Sequence, residues 1–221
     1  MKPKDLKAPY SFEERRPCIQ ERIFYLPTYY PDYTEFSFPS WKELFGNEKP
    51  VRIEYCSGNG EWILDKAEEN PEINWVAVEL KFKRVRKIHS KRTNRKIENL
   101  FIVCGEAQVF SSEYLAENSV ETVYVNFPDP WPKDRHAKHR LIQASFMKDV
   151  LKAVKPGGKA QLVSDSKAYI AQMEGEIDKV SGWQKFELQD QDVYGTSYFE
   201  RLWRSKGRNI HYLEYQVRNH D

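Results

Sequence analysis

The stretch "NFPDPWPKDRHAKHRL" (126–141) sets one carboxylate, Asp129, between Pro128 and Pro130, beside Trp131 and ahead of a run of cations. Each proline fixes its own φ and restricts the residue before it, so the acid is expected to be held in one place. Three more acids fall where ligands gather: Glu54 just before "YCSGNGEW", Glu79 in "NWVAVEL", and Glu106 after "LFIVCG". Gly58 and Gly60 let the backbone approach a ligand closely. A dinucleotide loop wants a third glycine where Ile63 stands, and Glu54 would repel a pyrophosphate but attract a cation. The pattern therefore fits S-adenosylmethionine. Glu54 would face its charged methionine end, Glu79 would accept from both ribose hydroxyls and Glu106 from the adenine amine.

These residues need strand ends and loops to hold them. Short β-branched, aromatic-rich segments at 51–55, 74–80, 99–104, 120–127 and 159–165 read as strands. Helix-like stretches lie at 60–69, 82–97, 111–117, 140–155 (stopping at "KPGG") and near 166–180. This alternation predicts a parallel sheet with helices on both faces and ligands at the carboxyl ends of the strands. "WQKFELQ" and "RNIHYLEYQV" (208–217) are expected to close the sheet as a hairpin-like pair, for a doubly wound, mostly parallel seven-stranded α/β fold. Residues 1–46, rich in Pro and Tyr, read as an N-terminal extension lying across one domain of residues 47–221.

Composition narrows the partners. A chain of 221 residues can bury one sizeable core, and a 40% hydrophobic fraction with 35 bases and 33 acids describes a globular protein in water. No apolar run approaches the ~20 residues that span a bilayer, and the opening residues lack the apolar core of a signal peptide. The expectation is a cytoplasmic protein with no membrane partner. Cys18, Cys56 and Cys104 are widely spaced with no CxxC pair, which points to small buried hydrophobes instead of disulfides or zinc. His136 and His139 lack companion ligands, read as surface histidines, and leave no metal expected. Lys81 to Lys96 holds nine Lys or Arg and no acid, and a second cluster holds Lys133, Arg135, Lys138 and Arg140. Two basic runs flanking one candidate site predict polyanion binding.

Taken together, the strand-end acid with "GNGEW", then "NWVAVEL", "NFPDPWPKDRHAKHRL", "SD" at 164–165 and "TSYFE" at 196–200 resemble the bacterial tRNA (guanine-N7)-methyltransferase family over roughly residues 50–217. The resemblance implies a Rossmann-like class I methyltransferase that moves a methyl group from S-adenosylmethionine to N7 of a guanosine in the variable loop of tRNA. It implies that Glu54, Glu79, Glu106 and Asp129 line the cofactor and reaction site. By the same resemblance Lys133, Asp165 and the stretch from Thr196 to Glu200 contact the tRNA or its target guanosine. A monomer or weak homodimer is expected. Two places depart from the family pattern: Tyr55 and Cys56 stand where an aliphatic residue and glycine are usual, and His139-Arg140 replaces an arginine pair.

Guanine N7 carries an in-plane lone pair and no proton, so its attack needs no general base and alignment with electrostatics dominates. Asp129 is then an acceptor for guanine's N1–H and N2 amine, or a counter-charge to the positive base that methylation leaves. Two other readings stay open. One is an amino-group methyltransferase, because "NFPDPW" distantly resembles the Asn-Pro-Pro-aromatic loop of adenine N6 enzymes. The other is a non-catalytic RNA-binding protein on a methyltransferase scaffold.

Overall fold

The computed structural model describes residues 1–9, 14–28, 33–131, 133–186 and 197–218. The chain divides into two compact units, Met1–Leu115 and Ala116–Asp221. In the first, β1 (Cys18–Gln20) and β2 (Ile23–Tyr25) form a hairpin with Glu21 at φ 50° and Arg22 at φ 61°, the paired positive φ that a tight two-residue turn demands. After α1 (Trp41–Phe45) the chain alternates through β3 (Val51–Tyr55), α2 (Glu61–Glu69), β4 (Asn74–Glu79), α3 (Phe82–Arg95), β5 (Leu100–Cys104) and α4 (Ala107–Glu113). These strands lie in the order β1-β2-β5-β4-β3, all neighbours parallel except β1 and β2.

Both β4 and β5 are buried along their whole length, as strands covered on both faces are. Ile63 and Leu64 of α2 and Val85 and Ile88 of α3 are fully buried, forming the apolar helix stripes of this core. The Pro- and Tyr-rich opening segment contributes to the same core. Phe24 packs its ring 5.2 Å from Phe36 and 5.0 Å from Phe38 and Tyr114, close enough for favourable aromatic contact.

The second unit runs β6 (Val120–Asn126), α5 (Ala144–Ala153), β7 (Val154–Ser164), α6 (Lys167–Ile177), β8 (Trp183–Phe186), α7 (Tyr198–Ser205) and β9 (His211–Val217). The order is β6-β7-β9-β8, with β6 parallel to β7 and β9 antiparallel to both its neighbours. The closing pair is thus β8 and β9. Its core joins Phe146, Met147 and Val150 of α5 to Tyr169, Met173 and Ile177 of α6 and to the inner residues of β6, β7 and β9.

Several expectations are corrected. The described strands number nine instead of seven, because β1 and β2 add a hairpin with β2 parallel to β5. The helix expected at 111–117 lies at Ala107–Glu113, and the one expected from residue 140 starts at Ala144 after a 3-10 turn at Asp134–His139. "KPGG" lies inside β7. A Cβ on Gly158 would sit 2.5 Å from the Glu121 carbonyl oxygen, and the β6–β7 register shifts between Val120 and Thr122. The glycine serves a bulged, close strand approach. Of the cysteines only Cys104 is buried, with Cys18 and Cys56 half-buried.

Candidate active site

In the first unit three acids stand at the carboxyl ends of successive parallel strands. Glu54 is the penultimate residue of β3 and 2% exposed, Glu79 ends β4 and is 4% exposed, and Glu106 caps α4 just beyond β5 in the open. The loop after β3 carries Cys56 at φ 61°, Gly58 at 58° and Gly60 at 75°. Cys56 thus adopts a left-handed conformation that costs a non-glycine residue about 1–2 kcal/mol.

Glu79 organises this loop. Its Oε2 accepts from the Gly58 N–H at 2.9 Å and its Oε1 from the Lys81 N–H at 2.8 Å, while the Arg84 guanidinium lies 3.5 Å from Oε2. Ser57 donates its N–H to the Val78 carbonyl and its hydroxyl to the Glu54 carbonyl, and its own carbonyl accepts from Gly60. A Cβ on Gly60 would lie 2.7 Å from Ile88 Cγ1, so this glycine also lets α3 pack against the loop. Buried carboxylates beside backbone that can approach a ligand match the ribose hydroxyls and cationic end of S-adenosylmethionine, which the donor set therefore fits.

The basic run on α3 is less available than its composition implies. Arg84 pairs with Glu79, Lys91 with Glu61, and Arg95 with Asp65 and Glu68. Arg86 donates to the Pro3 carbonyl and Arg92 to that of Leu100. Among the described residues no such partner is seen for Lys81, Lys83, Lys87 and Lys96, of which Lys81, Lys83 and Lys96 are exposed.

In the second unit Asp129 follows β6 and is exposed, while Pro128 behind it is buried. The residues bracketing it are Phe127 at φ 47° and Trp131 at φ 40°. Two bulky residues in the left-handed region mark stored strain of the kind that persists where surrounding contacts impose it. Those contacts are visible: Phe127 donates its N–H to the Val163 carbonyl at 2.9 Å, and the Trp131 N–H donates to Asp129 Oδ1 at 3.2 Å. Arg140 clamps the far side, donating to the carbonyls of Pro130 at 2.8 Å and Trp131 at 3.1 Å while lying over the Tyr169 ring. Read from sequence as part of a phosphate-binding cluster, Arg140 is committed to the loop. Trp131 is 36% exposed and rests against His136 and His139, so it is not core filling. Asn126, the residue an adenine N6 enzyme would use, is buried in β6.

The other expected substrate contacts share this unit. Lys133 is exposed before the 3-10 turn, Asp165 follows β7, and Glu200 lies in the first turn of α7; Thr196 falls outside the described residues. Parallel pairing of β6 with β7 brings Asp129 and Asp165 to the same sheet end, and the Phe127 and Phe199 rings, 6.2 Å apart, join the Asp129 loop to α7. Sequence reasoning missed the arginines that hold these acids. Arg208 ion-pairs with Asp165 and lies 4.0 Å over the Trp203 ring, and Arg204 ion-pairs with Glu200 at 2.9 Å. The spacing of four from Glu200 to Arg204 was a readable helical signal; the Arg208–Asp165 pair had none.

No helix among the described residues is long and apolar enough to cross a membrane. Residues 48–213 match the family model described as "Putative methyltransferase". The chain is 48% identical to the tRNA (guanine-N(7)-)-methyltransferase of Chlamydia muridarum, over 99% of both chains. It is 47% identical to that of Chlamydia trachomatis serovar D, over 97% of both. Among solved structures it resembles the 16S rRNA methyltransferase KamB, with a TM-score of 0.60 at 16% identity over 83% of this chain and 96% of that one, a likeness of fold. The strand-end acids, glycine loop and strained proline loop thus stand in a chain 47–48% identical to such enzymes over 97–99% of its length: it belongs to the tRNA (guanine-N(7)-)-methyltransferase family.

Proposed function

We propose that this protein transfers a methyl group from S-adenosylmethionine to N7 of a guanosine in tRNA. The observation that carries the reading is Asp129, exposed on a loop strained on both sides, in a chain that matches enzymes of this name over 99% of its length. Glu54, Gly58, Gly60, Glu79 and Glu106 are the residues that would hold the cofactor, with Glu79 supported by its buried position and its grip on the loop. When bound, S-adenosylmethionine supplies an electrophilic methyl group.

The chain's own part is binding, orientation and charge. Asp129 accepts from the guanine edge and offsets the positive charge that grows on the base, a task for a carboxylate whose position is set in advance. No proton leaves N7, so no residue is needed as a base. Asp165 and Glu200 add acceptors for the substrate, and Lys133 with Lys83 and Lys87 offers charge to phosphates. Incubation with unmodified tRNA and labelled cofactor, followed by nucleoside mass spectrometry, tests the reading. Label in 7-methylguanosine is expected; label only in an exocyclic amine, or none, overturns it.

A further inference from the structure

Helix α3 turns one stripe of side chains toward the glycine loop and α2. Arg84, Ile88, Lys91 and Arg95 recur at spacings of four, three and four, which puts them on one face of the helix. Along that face Arg84 lies 3.5 Å from Glu79, a Cβ on Gly60 would lie 2.7 Å from Ile88, and Arg95 pairs with Asp65 and Glu68 of α2. Lys91 stands between them. Its Nζ donates to the Asn59 carbonyl at 3.1 Å and lies 3.6 Å from Oε1 of Glu61, the first residue of α2, with the lysine side chain 35% exposed. Asn59 separates Gly58 and Gly60, both at positive φ. The near side of this turn is held from β3 and β4, through Glu54, Val78 and Glu79. Its tip is held from α3, by Lys91.

We propose that Lys91 is a positioning residue for S-adenosylmethionine: it holds the Gly58–Asn59–Gly60 turn in the shape that receives the cofactor, and it is not one of the phosphate contacts of α3. The inference rests on the assignment of Gly58 and Gly60 to the cofactor made above. Glycines leave an unanchored turn many conformations. A turn that has lost its Asn59 anchor must therefore be ordered as the cofactor arrives, and that ordering is subtracted from binding. An ammonium suits the task, because it carries three donors and can serve the Asn59 carbonyl and the Glu61 carboxylate together. The anchor is made before the reaction and persists through it, so it acts on cofactor binding and leaves the chemical step alone.

The test combines titration calorimetry with S-adenosylmethionine, steady-state kinetics, and tRNA binding over a range of salt, on Lys91→Met and Lys91→Arg. Methionine keeps an apolar stem and removes the donor, whereas arginine keeps a charged donor. Lys91→Met should weaken cofactor binding roughly five- to tenfold, as loss of a partly exposed charged hydrogen bond does. The cofactor KM should rise to match, while kcat and the log–log salt slope of tRNA binding stay at their wild-type values. Lys91→Arg should recover most of the loss. Cofactor affinity within about twofold of wild type in Lys91→Met, or a loss that Lys91→Arg does not lessen, overturns the assignment. A salt slope lowered by about one unit also overturns it, by making Lys91 a phosphate contact. If Lys91→Met fails to fold, Lys91→Gln is set against Lys91→Arg under the same criteria. Glu79→Gln separates the two levels of the reading: if it weakens cofactor binding and Lys91→Met does not, Lys91 alone loses its role. Wild-type affinity in both variants removes the turn from the cofactor site and defeats the assignment on which the inference rests.

Discussion

Replacing Glu79 by glutamine keeps the shape of the side chain and removes its charge. In the wild type Oε2 faces the Gly58 N–H at 2.9 Å and Oε1 the Lys81 N–H at 2.8 Å, so both ends of the carboxylate meet backbone donors. An amide has one accepting oxygen and one donating nitrogen, and one of the two N–H groups must therefore face an NH2. A buried donor left unpaired costs about 1–3 kcal/mol. The Arg84 contact, at 3.5 Å with the arginine side chain 38% exposed, adds at most about 1 kcal/mol. A loss near 2 kcal/mol lowers Tm by roughly 4–8 °C in a chain of this size. Cofactor affinity should also fall by roughly 10- to 100-fold, the range for losing a hydrogen bond to a charged acceptor. Thermal unfolding without cofactor reads the first effect and titration calorimetry the second, with Arg84→Gln as a control expected within about 2 °C of wild type. A Glu79→Gln protein with wild-type Tm and wild-type cofactor affinity refutes the reasoning, since one amide cannot satisfy two N–H donors and a ribose diol together.

Asp129→Asn should bind cofactor normally and slow single-turnover methylation on the order of 10²–10³-fold, with a rate flat from about pH 6.5 to 8.5 because no base titrates; a rate within about threefold of wild type removes Asp129 from the chemistry. Lys83→Gln with Lys87→Gln should lower the log–log salt slope of tRNA binding by roughly one to two units, and a weaker affinity with unchanged slope would mean that these lysines do not meet phosphate. His89 is 2% exposed, with Nε2 3.0 Å from Glu21, and burial, then Arg92, holds its pKa below the usual histidine value. The unfolded chain takes up its proton near pH 6.5, so this contribution to stability is full above that pH and is lost as pH falls below it. His89→Gln should flatten the decline of Tm between about pH 7 and 5.5, and an unchanged decline would mean that other groups set it.

Local pattern determined much of this protein. Strand β3 coincides with "VRIEY", and β4, β5 and β6 end within a residue of their expected limits, because buried parallel strands are continuous apolar runs that turn residues interrupt. That order alone put Glu54, Glu79 and Glu106 at consecutive strand ends, since parallel strands present their carboxyl ends on one side. What tertiary structure decided is which groups each side chain meets. Nothing within a few residues of Glu79 says that it binds Gly58, 21 positions away, or that Tyr212 of β9 closes on Glu200 of α7. Composition marked α3 as a cationic surface, yet five of its bases are engaged by acids or carbonyls that only packing brings near. The prolines announced a rigid loop around Asp129. The positive φ of Phe127 and Trp131 and the Arg140 clamp come from pairing with β7 and packing on α6. Periodicity and turn chemistry are local and can be read along the chain, whereas ion pairs and strain are relations between distant segments and exist only once the chain has folded.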